Sequence, residues 1–128
     1  MGDVRSVTVV GHAIANVLRH LGKPQEALAL YEQALKTCQK LEDVQRVAMI
    51  QNAMANVLAQ LGKLQEAMAL YHQSVQTMQK LGNLRGVATG QNAMANVLVK
   101  LGKPQEAKAL YEQALEPRKG WERCKEWQ

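Results

Sequence analysis

The sequence predicts an all-α protein made of three antiparallel helix hairpins that stack into an α-α solenoid. A segment of about forty residues occurs nearly three times, so that Gly11–Leu35, Gln51–Val75 and Gln91–Leu115 align without a gap. Each segment contains two apolar patterns with helical spacing, joined by a short turn. A fixed period of this size is typical of stacked repeats, which display a long shallow surface and are suited to binding.

The first unit contains one helix on each side of a turn. A first stripe of apolar residues recurs at steps of three and four, and we expect it to face the core: Val7, Val10, Ile14, Val17, Leu18 and Leu21. A second stripe follows: Ala27, Leu28, Tyr31, Ala34, Leu35, Cys38 and Leu41. Between them, Gly22 can adopt the left-handed conformation that ends a helix, and Pro24 suits the first position of the next. These features predict helices over 4–21 and 24–41.

The later units repeat this plan. Asp3, Asp43 and Asn83 are favourable N-caps for the helices that follow them. The predicted helices run over 44–61, 64–81, 84–101 and 104–116. Short connections make neighbouring helices antiparallel. We therefore expect repeats over 2–41, 42–81 and 82–116, followed by a C-terminal tail over 117–128.

The junction at Glu42 departs from the pattern. Gly2 and Gly82 occupy the equivalent places, where a positive φ is easily adopted, and Glu42 is poorly suited to that conformation. One continuous helix over 24–61 is therefore an alternative. It would open the hairpin and favour a dimer that exchanges hairpins between copies.

Each unit resembles a tetratricopeptide (TPR) repeat. The resemblance rests on a large and then a small residue in the first helix, a glycine at the turn, and a spaced trio of small, aromatic and small residues in the second helix. The matching residues are Ile14-Ala15, Met54-Ala55 and Met94-Ala95, then Gly22, Gly62 and Gly102, then Ala27-Tyr31-Ala34, Ala67-Tyr71-Ser74 and Ala107-Tyr111-Ala114.

The units also depart from the usual TPR pattern. Gly11, Gln51 and Gln91 stand where an aromatic residue is usual. The period exceeds the usual length of about 34 residues, and is similar to that of Pins-type adaptors, kinesin light chains and many bacterial TPR proteins. The resemblance implies a right-handed superhelix, a concave groove lined by the first helix of each unit, and a protein- or peptide-binding role.

A polar stripe on the first helices is the candidate binding site in that groove. Its residues are Arg5, His12, Asn16, Met49, Asn52, Asn56, Arg85, Asn92, Asn96 and Lys100. Because an asparagine side chain both donates and accepts hydrogen bonds, Asn16, Asn56 and Asn96 could form a ladder along the backbone of a bound peptide. The cations favour an acidic ligand. The alternative is that these asparagines are solvated, or bond between repeats.

Composition and motifs argue against other classes of function. The formal charge of +5 is spread thinly, without a dense basic run, and does not favour nucleic-acid binding. There is no catalytic constellation and no phosphate loop, so we expect neither an enzyme nor a cofactor. His12, His20 and His72 lack the spacing of a metal site. Without a membrane span or signal peptide, and with Cys38 and Cys124 giving no disulfide framework, we expect a cytoplasmic protein.

The two ends of the array suggest a second function. After Leu115 the repeat stops, Pro117 ends or kinks the last helix, and Trp121 falls in register with Leu41 and Leu81, where it could fold back over the last hairpin. No polar capping helix follows, although repeat arrays need capped ends. The alternative function is therefore a homo-oligomeric scaffold, such as a homodimer, that associates through its end faces.

Overall fold

The computed structural model describes residues 4–115 as six α-helices and the turns between them. The helices are α1 (Val4–His20), α2 (Pro24–Lys40), α3 (Val44–Gln60), α4 (Leu64–Lys80), α5 (Leu84–Lys100) and α6 (Pro104–Leu115). Side chains are described from Val10 onwards, so the predictions made for Asp3, Arg5, Val7 and the tail over 117–128, with Trp121, lie outside that part of the molecule. The described residues form an all-α helical repeat solenoid, as predicted.

The turns inside the hairpins end their helices one residue earlier than predicted. Leu61 still donates its N–H to the Val57 carbonyl (3.0 Å), so it lies half inside α3. Gly62 then adopts a φ of 82°, which glycine reaches without steric cost. The Lys63 N–H closes the turn on the Leu58 carbonyl at 2.9 Å. This pattern uses carbonyl groups that the end of a helix leaves unpaired.

Two of the predicted N-caps are confirmed. The Asp43 carboxylate accepts a hydrogen bond from the Arg46 N–H (3.2 Å), and the Asn83 side chain accepts one from the Gly86 N–H (2.9 Å). Pro24 opens α2 as expected. Each cap satisfies an N–H that has no partner inside the helix.

Glu42 takes the conformation that the sequence made improbable. Its φ is 56°, which makes it the one non-glycine residue with a positive φ in the part of the chain that the structure describes. The chain turns there, and the Asp43 N–H bonds to the Cys38 carbonyl at 3.0 Å. The alternative of one continuous helix over 24–61 is therefore wrong. A left-handed conformation costs a residue with a side chain about 1–2 kcal/mol, which the surrounding turn must offset.

The core lies within each hairpin and between neighbouring hairpins. Tyr31, Ile50 and Val57 are completely buried, and they share one cluster with small residues of α1, α2 and α3. Leu28 packs against both this cluster and the next one along the array, so it bridges two units. A repeat of this kind is stabilised mainly by its neighbours.

The predicted core stripe of α1 is wrong at most of its described positions. Val10, Ile14, Val17 and Leu21 are 47–65% exposed, although the equivalent residues of α3 are largely buried. The reason is positional, because α3 packs against the hairpin before it and no described helix precedes α1. Leu41, expected to be in the core, is also exposed because it caps a helix end.

The junction between the second and third hairpins is unusually close because of two glycines in α5. A Cβ atom at Gly90 would lie 2.4 Å from Val75 Cγ2, and one at Gly86 would lie 2.6 Å from Met78 Sδ. The equivalent residues of α3 are Ile50 and Arg46. The two junctions of the array are thus packed differently, even though the units are near copies.

The first helices of the hairpins form the inner side of the array. Helix α3 contacts both α1 and α5, whereas the second helices α2, α4 and α6 hardly touch one another in the described residues. Since the first helices approach more closely, the stack curves towards them. We call the face formed by α1, α3 and α5 the inner surface. The boundaries between repeats, placed at 41/42 and 81/82 from the sequence, stay a prediction.

Candidate functional site

The inner surface contains two adjoining hollows. The central hollow has a volume of about 650 Å³ and is lined by His12, Asn16, Arg19, Gln45, Met49, Asn52, Ala53, Asn56, Ser74, Met78, Asn83, Arg85, Gly86 and Thr89. The second hollow, of about 300 Å³, is lined by Arg19, His20, Asn56, Ala59, Gln60, Tyr71, Ala93, Asn96, Val97 and Lys100. Arg19 and Asn56 belong to both, so the two hollows form one groove across the three first helices.

Most of the candidate residues lie along this groove. His12, Asn16, Met49, Asn52, Asn56 and Arg85 line the central hollow, while Asn56, Asn96 and Lys100 line the second. Asn92 is exposed and lines neither hollow. The side chain of Arg5 lies outside the described residues. The helical stripe in the sequence therefore brings eight of its ten members to a common groove.

The three asparagines of the proposed ladder are each bonded to a tyrosine of the same hairpin. The Tyr31 hydroxyl donates to Asn16 Oδ1, Tyr71 to Asn56 Oδ1, and Tyr111 to Asn96 Oδ1. Burial raises the pKa of Tyr31, and raises that of Tyr71 to about 12, so these hydroxyls keep their donor proton. The bond lies within the hairpin rather than between repeats.

This bond leaves each asparagine with one defined role towards a ligand. The Oδ1 atom is held by the tyrosine, and the Nδ2 group makes no hydrogen bond to any described residue. An amide NH₂ group carries two donor hydrogens. The row of asparagines therefore presents donors to the groove, with its side chains fixed from behind.

A second repeated bond was not anticipated from the sequence. Gln51 Nε2 donates to Gln73 Oε1 (3.1 Å), and Gln91 Nε2 donates to Gln113 Oε1 (3.2 Å). The first unit has Gly11 in place of the first glutamine and lacks the pair. In each type of bond the two partners are separated by the same number of residues in every unit that has the bond, 22 for the glutamines and 15 for the tyrosine and asparagine. That constant separation of polar residues is the sequence signal that could have revealed both bonds.

The groove is cationic. Arg19, Arg85 and Lys100 line it, and no Asp or Glu is among the described residues of either hollow. His12 lies edge-on to Tyr31, with the ring centroids 5.6 Å apart. Burial, and then the charges of Arg46 and Arg19, lower the pKa of His12, which favours its neutral form. The local field therefore favours anionic groups.

Other kinds of site find no support in residues 4–115. No cluster of three or more His, Cys, Asp or Glu residues in that range could hold a metal ion. Cys38 is buried, and burial raises the pKa of its thiol, so it is unreactive in this setting. None of the six described helices has the length and apolar character needed to cross a bilayer.

Comparison with known families agrees with the fold. A family model described as a tetratricopeptide repeat matches residues 46–119, which is more than half of the chain, and a second model of the same description matches residues 11–43. The chain therefore belongs to the tetratricopeptide repeat family. Repeats of this family are generally modules for protein–protein interaction.

Two solved structures are similar to this chain. BtubC (BKLC) from P. vanneervenii has 25% sequence identity and a TM-score of 0.81, over 94% of this chain and 49% of BtubC. The TPR domain of Arabidopsis FLU has 16% identity and a TM-score of 0.82, over 92% of this chain and 99% of that domain, and shows the fold alone. This chain spans about half the length of BtubC. No curated protein sequence matches it significantly.

Proposed function

We propose that the chain is a non-enzymatic interaction module that binds a peptide segment of another protein along the inner surface. The observation that carries this proposal is the row of Asn16, Asn56 and Asn96, whose amide groups are oriented by tyrosine hydroxyls along one continuous groove. Donors at equal intervals suit the carbonyl groups of an extended backbone, which repeat along any sequence. Such contacts give affinity with modest sequence preference.

The groove's charge selects among peptides, and we infer an acidic partner. Arg85 lines the central hollow, Lys100 the second, and Arg19 both. Carboxylates of the ligand would meet these cations without opposing acidic side chains. Because the cations are partly solvent-exposed, their contribution is screened by salt.

Binding of short acidic peptides tests this function. We expect fluorescently labelled peptides rich in Asp and Glu to bind more tightly than neutral peptides of equal length, with affinity that falls as salt rises. Arg85→Gln/Lys100→Gln should weaken that binding. Lys36→Gln/Lys108→Gln removes the same charge from exposed positions that line neither hollow, and should weaken it less. Equal losses in the two variants would place binding elsewhere.

A second candidate function is self-association through the end faces. The exposed apolar row Val10, Ile14, Val17 and Leu21 is the observation that favours it, since the same face of α3 is covered by α2. We infer that a second copy would cover this row with its α6. Within the array, Val75 of α4 packs on Gly90 of α5. Leu115 of α6 is equivalent to Val75 and is 82% exposed, and Val10 of α1 is equivalent to Gly90. The same contact could therefore form between Leu115 of one copy and Val10 of the next.

Light scattering over a range of concentrations tests this association. A head-to-tail contact leaves a free α1 row and a free α6 at the two ends of any open assembly, so the average mass should rise with concentration beyond that of a dimer. Val17→Glu places a charge in the exposed row and should keep the protein monomeric. Ala29→Glu makes the same change at an exposed position of α2 and should not. A wild-type protein that stays monomeric at high concentration contradicts this second function.

A further inference from the structure

The junction between the first and second hairpins contains a group of ionisable side chains that the next junction lacks. His12 and Arg19 of α1 line the central hollow, and Arg46 of α3 lies near enough for its charge to act on His12. The equivalent residues of the following unit are not ionisable: Asn52, Ala59 and Gly86. The group is therefore particular to the first junction.

His12, Asn16 and Arg19 follow one another along the groove side of α1. Since four and three residues separate them, each lies about one helical turn, or roughly 5–6 Å, from the next. Asn16 lines the hollow between the other two, and its Oδ1 atom is held by the Tyr31 hydroxyl. A carboxylate that accepts a hydrogen bond from Asn16 Nδ2 would therefore lie close to both the imidazole and the guanidinium.

The imidazole ring of His12 is held against α2. It meets the ring of Tyr31 edge to face, with the centroids 5.6 Å apart and the planes at 76°, and it is partly buried. A partly buried ring has lost some of the water that would stabilise its charged form. The protonation of His12 is therefore sensitive to a charge that a ligand places beside it.

In the absence of a ligand, the surroundings of His12 disfavour its protonated form. The ionisable groups around it are Arg19 of α1, Tyr31 of α2, Asp43 and Arg46 at the start of α3, and Arg85 of α5. The Asp43 carboxylate is paired with Arg46 at 3.6 Å and offsets only part of this positive charge. Burial, and then Arg46 and Arg19, lower the pKa of His12. A carboxylate brought by a ligand would reverse that balance.

We propose that the binding of an acidic ligand in the groove is coupled to the uptake of one proton by His12, so that the groove binds such ligands more tightly as the pH falls below neutrality. This inference rests on the peptide-binding function above and adds a form of regulation to it. The proton comes from the solvent and returns to it when the ligand leaves. The ligand stabilises the imidazolium, and the imidazolium in turn adds a cation to the groove.

The pH range of the effect follows from the two states of His12. In the free protein its pKa lies below 6.5, and in the complex the carboxylate of the ligand raises it. The affinity rises as the pH falls through the pKa of the complex, and levels off below the pKa of the free protein. An opposite charge nearby raises the pKa by about one unit or more, so the affinity should change roughly tenfold.

Affinity measured across this pH range tests the coupling. The probe is a fluorescently labelled peptide whose acidic residues are cysteic acid, because its sulfonates stay ionised throughout and only the protein titrates. Anisotropy is measured at constant ionic strength from about pH 8 to about pH 5, on either side of the ordinary pKa of histidine. We expect the affinity of the wild type to rise roughly tenfold as the pH falls.

Three histidine variants locate the effect. His12→Asn introduces the residue that both later units have at this position, and it should abolish most of the rise. His20→Asn changes a histidine of the second hollow, and His72→Asn an exposed one that lines neither hollow. Both controls should keep the rise of the wild type.

The proton can also be observed directly by NMR, whatever His12→Asn does to the fold. The chemical shifts of the histidine rings are followed against pH in the free protein and in the protein saturated with peptide. We expect the titration midpoint of His12 to move upwards by about one pH unit on saturation. The midpoint of His72 should stay where it is.

The outcomes separate this coupling from the function on which it rests. If the peptide binds with the same affinity at every pH, or if the rise persists in His12→Asn, the coupling is overturned and the binding function stands. A midpoint of His12 that does not move upwards on saturation overturns it as well. If no acidic peptide binds at any pH, the function and the coupling both fail.

Discussion

At the scale of single residues, the groove depends on pairs of side chains rather than on isolated ones. Each of the three tyrosines of the second helices donates a hydrogen bond to an asparagine of the first helix in the same hairpin. Tyrosines that the sequence suggested only for packing therefore also orient the candidate binding residues. The helical stripe predicted which residues share the groove. It could not predict the bonding of Oδ1, since partners in two helices depend on how those helices pack.

The tyrosine bond of the middle hairpin should make a measurable contribution to stability. Tyr71 is 2% exposed, and its hydroxyl donates to Asn56. Tyr71→Phe should lower the free energy of unfolding by about 1 kcal/mol, because the buried bond is lost and the ring is kept. Urea denaturation measures this. Tyr111→Phe breaks the more exposed bond of the third hairpin and should cost less; an equal or larger cost there would contradict the explanation.

Glu42 offers a direct test of backbone strain. Its φ of 56° favours glycine, so Glu42→Gly should raise the free energy of unfolding by about 0.5–1 kcal/mol after the extra flexibility of the unfolded glycine is subtracted. Thermal and urea denaturation measure the change. Gly82→Glu, at a φ of 70° with open space around the Cβ position, is the matched control and should destabilise. A loss of stability in Glu42→Gly would show that the side chain matters more than the backbone.

His12 should make the stability of the protein depend on pH. Its pKa in the folded protein is lowered from 6.5 by burial and by Arg46 and Arg19. The unfolded chain therefore takes up a proton more readily. The contribution is fully present above pH 6.5 and is lost as the pH falls from there through the folded pKa. Urea denaturation at several pH values should show a shallower acid dependence in His12→Gln, and an unchanged dependence would rule His12 out as its source.

At the scale of helices, the sequence predicted six elements with ends within one residue, because turn residues, caps and apolar spacing indicate the same boundaries in nearly every unit, Glu42 being the exception. It predicted burial less well in α1, where the apolar stripe is the same but a preceding hairpin is absent from the described residues. Apolar spacing identifies a face of a helix, while burial depends on a neighbour. The close junction at Gly86 and Gly90 depends on two helices and was likewise not predicted.

The glycine junction should be sensitive to one added methyl group. Gly90→Ala would place Cβ 2.4 Å from Val75 Cγ2 and should destabilise the protein by about 1–3 kcal/mol through overpacking. Gly11→Ala adds the same atom in the middle of α1 with nothing within 4 Å, so it should stabilise by up to about 1 kcal/mol through helix propensity. Denaturation of the two variants measures the difference. Similar effects would show that α4 and α5 can separate freely.

At the scale of the whole molecule, the curvature of the stack brings three similar helices together along one groove. The sequence repeat predicted both the family and the solenoid fold, because three similar units can bury their apolar faces in few ways other than by stacking on one another. It did not predict the central hollow, because the lining of that hollow comes from α1, α3, α4 and α5 together and depends on how those helices pack.

The affinity of the Asn56→Ala/Asn96→Ala variant for an acidic peptide is the most direct test of the account. If the amide groups donate to the bound backbone, the loss of two such bonds should weaken binding roughly tenfold to a hundredfold, with the helical circular dichroism spectrum unchanged. The paired control, Tyr71→Phe/Tyr111→Phe, keeps both amides and should bind far better than the asparagine variant. A folded asparagine variant that binds as tightly as the wild type would contradict the account.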